Sequence, residues 1–220
     1  MLTVDVPVVS VRPRERRQGF EAPFRMRPRQ FVDFAAHPQW VFHTLVDGVP
    51  KPVNVLSAKT TVNKPTFTRN EIRGHIDWQF LDQLRERWTG KLILKGVLSA
   101  EDAVRIRDAG VDAVYVSNHG GRQLDAAPAA IDVLPEIRQA VGVDYPLIFD
   151  SGIRSGEGIV KALALGADFV MLGRPFLYAS GADGRRGVYR LVDLLKNDML
   201  LVLAQIGCTD VAHLDANVLA

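Results

Sequence analysis

From Lys91 onward, the hydrophobic and polar positions alternate between two patterns. Short apolar or β-branched runs occupy 92–95, 113–117, 147–150 and 169–173. Between and after them, apolar residues recur at i, i+3 and i+4 over about 99–109, 128–141, 155–165 and 184–206. These patterns predict strands alternating with helices. Successive strand ends fall 22, 33 and 23 residues apart, the length of a strand–helix unit. Strands this continuously apolar suit a parallel sheet covered by helices. A further strand at 2–6 brings the expected number to five. It begins directly after Met1, with no lead-in, so further sequence upstream is expected.

Residues 8–75 break this pattern. They are rich in Arg, Pro and aromatic residues, and only a short helix near 28–45 is expected. Between Arg12 and Arg29 stand seven Arg against two Glu, a local balance of +5. Phe20, Phe24, Phe31, Phe34, Trp40 and Phe42 lie in or just after that run. An excursion of this length inside a compact domain is usually functional. Two readings stand side by side: a solvated surface loop, or a patch that meets an anionic membrane surface.

Composition narrows the picture only modestly. With 220 residues, 47% hydrophobic and 24% charged, the chain can build one globular domain. It falls short of the roughly 250 residues of a complete (β/α)8 barrel. A net charge of +2 gives no argument for a nucleic-acid partner. Cys208 stands alone, which excludes an internal disulfide and fits a reducing compartment. No apolar run approaches the roughly 20 residues that span a bilayer.

The densest chemistry lies in Ser117-Asn118-His119-Gly120-Gly121-Arg122-Gln123-Leu124-Asp125, at a strand end. Parallel barrels place their active sites on that side. Two glycines after His119 leave its imidazole room to meet a ligand, and Arg122 follows three residues on. A histidine base and a guanidinium fork for a carboxylate form a coherent pair. The same residues also fit a backbone-bonded histidine and a surface ion pair, and spacing alone leaves both readings open.

A second cluster suits phosphate. Asp150-Ser151-Gly152-Ile153-Arg154 and Gly173-Arg174 close the last two strands. Barrels often bind phosphate with the loops after strands seven and eight and a nearby helix N-terminus. Ser151, Gly152 and Gly173 would expose backbone N–H groups, and Arg154 and Arg174 would add charge. A dinucleotide fingerprint is missing, because residues 152–158 do not follow G-x-G-x-x-G. His37, His43, His75 and His213 have no ligand-spaced partners, so no metal site is expected.

Together these motifs resemble the FMN-dependent 2-hydroxy-acid oxidoreductases, the family of the L-lactate dehydrogenases, glycolate oxidases and mandelate dehydrogenases. The resemblance rests on SNHGGRQLD, Leu94-Lys95-Gly96, Asp150-Ser151-Gly152-Ile153-Arg154 and Ala164-Leu165-Gly166-Ala167-Asp168 running into Leu172-Gly173-Arg174. Thr3-Val4-Asp5 and Arg12 also fit. It implies an α/β fold, a TIM (β/α)8 barrel of which residues 1–220 cover about strands four to eight, with 8–75 inserted as a long loop. It implies FMN as cofactor and oxidation of a small L-2-hydroxy acid. The look of His37-Pro38-Gln39-Trp40 favours the lactate and mandelate branches, and L-lactate is the first candidate.

The roles are those the resemblance implies. His119 is the base and Asp5 its carboxylate partner. Arg12 and Arg122 bind the substrate carboxylate. Lys95 stands near flavin N1 and the C2 carbonyl, and Thr3 and Ser117 bond polar edges of the flavin. Asp150 contacts ribityl hydroxyls, while Ser151, Gly152, Arg154, Gly173 and Arg174 hold the phosphate. A non-redox phosphate-binding barrel and a non-catalytic fragment remain rival readings. The family's two active-site tyrosines come from its N-terminal half, and Tyr178 and Tyr189 do not match them by motif. Five strands leave two open edges and an unfilled interior, so residues 1–220 alone are expected to bind FMN poorly. The expected location is the cytoplasm, with peripheral contact at the inner face of the plasma membrane. Homo-oligomers are expected of the full-length form, and the electron acceptor is not legible.

Overall fold

The computed structural model describes residues 1–7, 17, 28–48 and 76–219. The chain divides into two compact units, Met1–Ser10 with Arg73–Ala220, and Val11–Ile72.

In the first unit, five parallel strands form one sheet in sequence order. They are β1 (Leu2–Thr3), β2 (Ile93–Val97), β3 (Ala113–Val116), β4 (Leu147–Phe149) and β5 (Phe169–Val170). The first is shorter than the five residues expected, for a local reason. Val4 N–H still donates to Lys95 O at 2.9 Å, but the chain then turns and carries Asp5 toward His119. The last is shorter too, although Met171 N–H still donates to Phe149 O at 2.8 Å. Among the described residues, neither β1 nor β5 has a partner on its outer edge.

Strand register sorts the side chains onto two faces, because partners in a parallel pair project the same way. Leu2, Leu94, Val114 and Leu147 form one row, and Val116, Phe149 and Val170 another. These pack with the helices to make the core. The opposite face carries Thr3, Lys95, Tyr115, Ile148 and Phe169 in a single row.

The helices follow from caps and periodicity. Asp77 caps the helix Trp78–Arg87 (α3 below) through Phe80 N–H at 2.8 Å. Ser99 caps Ala100–Asp108 (α4), which has Glu101 and Asp102 in its first turn and Arg105 and Arg107 in its last. That charge order complements the helix dipole. Along Ala130–Val141 (α5) the buried positions Ala130, Leu134, Ile137 and Val141 keep helical spacing. Gly156–Ala164 (α6) packs closely on the final helix Arg174–Gln205 (α7), since a Cβ at Gly156 would stand 2.4 Å from Met199 N. The sequence pattern placed the start of that last helix near 184. There Asp183 (φ −151°, ψ 33°) and Gly184 (φ 50°, ψ −131°) leave the helical region, so a kink divides α7 at the expected start, and a further helical stretch from Arg174, with Pro175 in its first turn, precedes it.

At the N-terminal end of the strands a device occurs twice. Asp112 accepts Leu92 N–H at 2.8 Å, Lys91 at 2.7 Å and Arg85 at 3.2 Å. Asp168 accepts Leu147 N–H at 2.7 Å and Arg138 at 2.6 Å. Each aspartate thereby ties the strand it precedes to the one before. The Lys91 and Leu92 hydrogen bonds lower the Asp112 carboxyl to about 2. This end of a barrel ordinarily serves stability.

In the second unit, two helices, α1 (Pro28–Ala36) and α2 (Pro38–Asp47), are joined at His37. Where the sequence suggested one helix near 28–45, Pro38 opens a second one, and His37 Nδ1–H donates to Asp33 O at 2.7 Å across the joint. Neither helix buries a residue, and Phe31, Val32, Trp40, Phe42, Leu45 and Val46 are all exposed. Among the described residues, no helix is long and apolar enough to cross a membrane.

Candidate active site

The chemistry collects at the C-terminal ends of β1 to β4. Past β3 the chain enters a single tight turn, His119–Gly121. His119 adopts φ 58°, and Gly120 and Gly121 adopt φ 67° and 69°. Histidine tolerates that left-handed region better than bulky residues do. Asn118 braces the turn by accepting Gly121 N–H at 3.2 Å. Ser117, fully buried, accepts His119 N–H at 3.0 Å.

This geometry brings two residues 114 positions apart into contact. His119 Nδ1 lies 3.2 and 3.3 Å from the two oxygens of Asp5. An ionised carboxylate can only accept, so Nδ1 carries the proton, and in the neutral imidazole Nε2 is the nitrogen that keeps the lone pair. The Asp5 side chain is 14% exposed and that of His119 32%. A nearly buried carboxylate thus orients an imidazole whose far nitrogen can meet a ligand, as expected of a general base.

On the row that faces away from the helices lies a second network. Lys95 Nζ donates to Ser117 Oγ at 2.8 Å and lies 3.8 Å from Asp150 Oδ2. Tyr115 OH donates to the same Asp150 Oδ2 at 2.8 Å, and Ser151 Oγ donates to Oδ1 at 2.8 Å. Burial first, and then the Asp150 charge, push the Tyr115 phenol above its ordinary range. Ser151 holds φ 86° and accepts the N–H groups of Asn118 and Gly120 at 3.2 and 3.1 Å. The loop after β4 is thereby locked to the loop that carries His119.

The anion-binding candidates sit next to it. Arg174 donates to Gly120 O at 2.5 Å, and Arg154 donates to Ile153 O at 2.7 Å. Among the described residues beyond its chain neighbours, no atom lies within 4 Å of where a Cβ would stand at Gly152 or Gly173, so both backbones are open. The N-terminus of α6 is taken, because Asp198 accepts Gly156 and Glu157 N–H and Ser155 accepts Gly158 N–H. The N-terminus of α7 has no side-chain cap. An anion bound here would therefore have α7, rather than α6, as its helix end.

Of the residues singled out from sequence, Asp5 with His119, and Lys95 with Ser117, Asp150 and Ser151, come together directly. Thr3 pairs in register with Lys95. Arg122 follows the turn, exposed, its side chain without a partner among the described residues. Arg12 lies outside the described residues. Sequence reasoning gave no role to Tyr115, nor to Asn118 and Gly96, although these two lie within the motifs it quoted. A tyrosine two residues before Ser117, inside an otherwise aliphatic strand, was the available signal for the first. Among the described residues, no group of three His, Cys, Asp or Glu could hold a metal ion.

A family model for FMN-dependent dehydrogenase matches residues 1–220. The L-lactate dehydrogenase of Pseudomonas syringae pv. syringae (strain B728a) is 38% identical over 224 residues, covering 100% of this chain and 59% of that protein. The (S)-mandelate dehydrogenase of Pseudomonas putida is 40% identical over 221 residues, covering 100% and 56%. A solved structure of the monotopic membrane protein (S)-mandelate dehydrogenase superposes with a TM-score of 0.89 at 40% identity, covering 98% of this chain and 58% of that one. The chain thus spans a little over half the length of these relatives, and its five strands are part of a TIM barrel.

Proposed function

Since the chain belongs to the FMN-dependent dehydrogenase family, we propose that it oxidises a small L-2-hydroxy acid, L-lactate first, to the 2-oxo acid. The observation that carries this reading is the Asp5–His119 pair at the C-terminal end of the sheet, which engages Nδ1 and leaves Nε2 without a partner among the described residues. Residues 1–220 would form the C-terminal part of the catalytic domain, with 8–75 as an insertion.

The donor set fits FMN. Lys95 and Ser117, with Thr3 beside them, offer an ammonium and hydroxyls for the polar edge of an isoalloxazine. Asp150 suits ribityl hydroxyls. Ser151, the open backbones of Gly152 and Gly173, the arginines 154 and 174 and the uncapped end of α7 suit a phosphate. When bound, FMN would supply the two-electron oxidation of the substrate's 2-carbon.

The chain's own residues would do the rest. His119 would take a proton from the 2-carbon or the 2-hydroxyl at Nε2. Asp5, held against Nδ1, would stabilise the imidazolium that results. Arg12 and Arg122 would clamp the carboxylate, which fixes the 2-carbon in place. Lys95 would hold negative charge at the flavin N1 edge.

The test uses the longest in-frame product that contains residues 1–220, found by reading the DNA upstream of Met1. Loaded with FMN and kept anaerobic, it should be bleached by L-lactate or (S)-mandelate. Flavin that binds but is bleached by neither acid would favour a non-redox role. Absence of flavin binding would favour a non-catalytic fragment.

We also assign the unit Val11–Ile72 to peripheral contact with an anionic membrane, at the inner face of the plasma membrane, in a homo-oligomeric full-length protein. Its support is the apolar surface of α1 and α2, with Phe31 65% and Leu45 79% exposed, beside an arginine-rich run. The protein is expected to co-sediment with anionic vesicles at low salt and to detach as salt rises. Equal recovery in the supernatant with neutral and anionic vesicles would return the segment to an ordinary solvated surface.

A further inference from the structure

We propose that Tyr115 is a positioning residue for Lys95: its hydroxyl holds Asp150 away from the ammonium, so that the charge of Lys95 is left for the flavin. The inference rests on the FMN reading above. It adds a residue that neither the motifs nor the resemblance assigns.

The argument begins with register. Thr3, Lys95 and Tyr115 are neighbours in one cross-strand row. The Lys95 ammonium lies 5.0 Å from the centre of the Tyr115 ring, within cation–π range. It is largely buried, at 11% exposure, so where it points and what neutralises it matter more than they would in water. The nearest opposite charge is Asp150, whose Oδ2 stands at 3.8 Å, too far for a hydrogen bond.

Two hydroxyls keep it there. Tyr115 OH occupies Oδ2 and Ser151 Oγ occupies Oδ1, both at 2.8 Å. Ser151 is itself fixed by two backbone N–H groups, so the Oδ1 side has little freedom. Tyr115 is 4% exposed and rooted in the centre of β3, so its hydroxyl is equally fixed. Lys95 meanwhile donates to neutral Ser117 Oγ rather than to the carboxylate.

Removing the Tyr115 hydroxyl leaves Oδ2 without its donor, and the closest replacement is Lys95 Nζ. The carboxylate would then close into a direct ion pair and draw the ammonium from Ser117. Less positive charge would reach the flavin edge, and a reduced or anion-bearing flavin would be held less well.

The experiment compares the wild-type holoprotein with Tyr115→Phe, which keeps the ring. Sulfite, which adds an anion to oxidised flavin, is the probe, read as bleaching of the flavin band. We expect Tyr115→Phe to retain flavin and substrate KM, to lose kcat, and to bind sulfite about tenfold more weakly. Its crystal structure should show Asp150 within hydrogen-bond distance of Lys95. Sulfite affinity within about twofold of wild type would overturn the proposal. So would an Asp150 carboxylate that stays in place in the Phe variant. If the wild-type protein takes up no flavin, the FMN reading fails, and the position of Asp150 in Tyr115→Phe still decides the role of Tyr115.

Discussion

Replacing His119 by alanine is expected to lower turnover by about 100-fold or more while flavin stays bound. The two effects separate because the proposed base and the proposed phosphate anchors use different atoms. Catalysis would need the imidazole, whose Nδ1 is held by Asp5 at 3.2 Å. The link to the anchor loops runs through backbone: Ser151 takes the N–H groups of Asn118 and Gly120, and Arg174 takes Gly120 O. Alanine preserves those atoms but must adopt φ 58° without a side chain that favours it. An L-residue there costs about 1–2 kcal/mol. His119→Asn controls for this, since asparagine enters the left-handed region readily. Both variants should lose turnover with saturating L-lactate and an artificial acceptor, and both should keep their flavin. Near-normal turnover in either one would remove His119 from the chemistry.

The alternation of apolar strands and amphipathic helices was legible from sequence, because each βα unit has its own period and its own stop. Parallel pairing followed from it, and the strand order came with the family resemblance. Helix joints were harder to read. Asp183–Gly184 reads as a boundary and is a kink in the structure, but the helical stretch from Arg174 ahead of it was not foreseen. Pro38 looks like a mid-helix fault, yet it begins a second helix. The candidate site divides in a similar way. His119 and Arg122 stand out because glycines and charge cluster around them, and the phosphate loops stand out for their small residues. The Asp5–His119 contact spans 114 positions, and no local pattern encodes it. It was reached only through resemblance to a family. Tyr115 and Gly96 were passed over for a different reason. Their roles depend on which neighbour stands across the sheet, which register decides and composition does not.

Gly96→Ala is expected to disable the base without touching it. Gly96 sits where the β2–β3 register shifts, between Lys95 and Val97, and adopts φ 99°. An irregularity of this kind bends a strand and re-aims its neighbours. Here it opens room for Asp5. A Cβ at Gly96 would stand 2.5 Å from both Cβ and Cγ of Asp5, and 2.7 Å from Oδ1. No side-chain rotation of Asp5 relieves a clash with its own Cβ, so the backbone after β1 must move. Asp5 would then leave His119 Nδ1, and the imidazole would lose both its orientation and its partner for the positive charge. Loss of an orienting carboxylate elsewhere costs up to about 10⁴ in kcat. We expect a loss of about 100-fold or more here, since part of the contact can reform. Asp5→Asn should behave alike, and adding Gly96→Ala to it should cost no more than about twofold further if both act through one contact. Flavin content should hold in all three proteins, because the proposed phosphate-binding loops follow β4 and β5, not β2. Wild-type turnover in Gly96→Ala would show that His119 does not need Asp5 at its present distance. Strictly additive losses in the double variant would instead mean that Gly96 acts through Lys95, its neighbour in the chain.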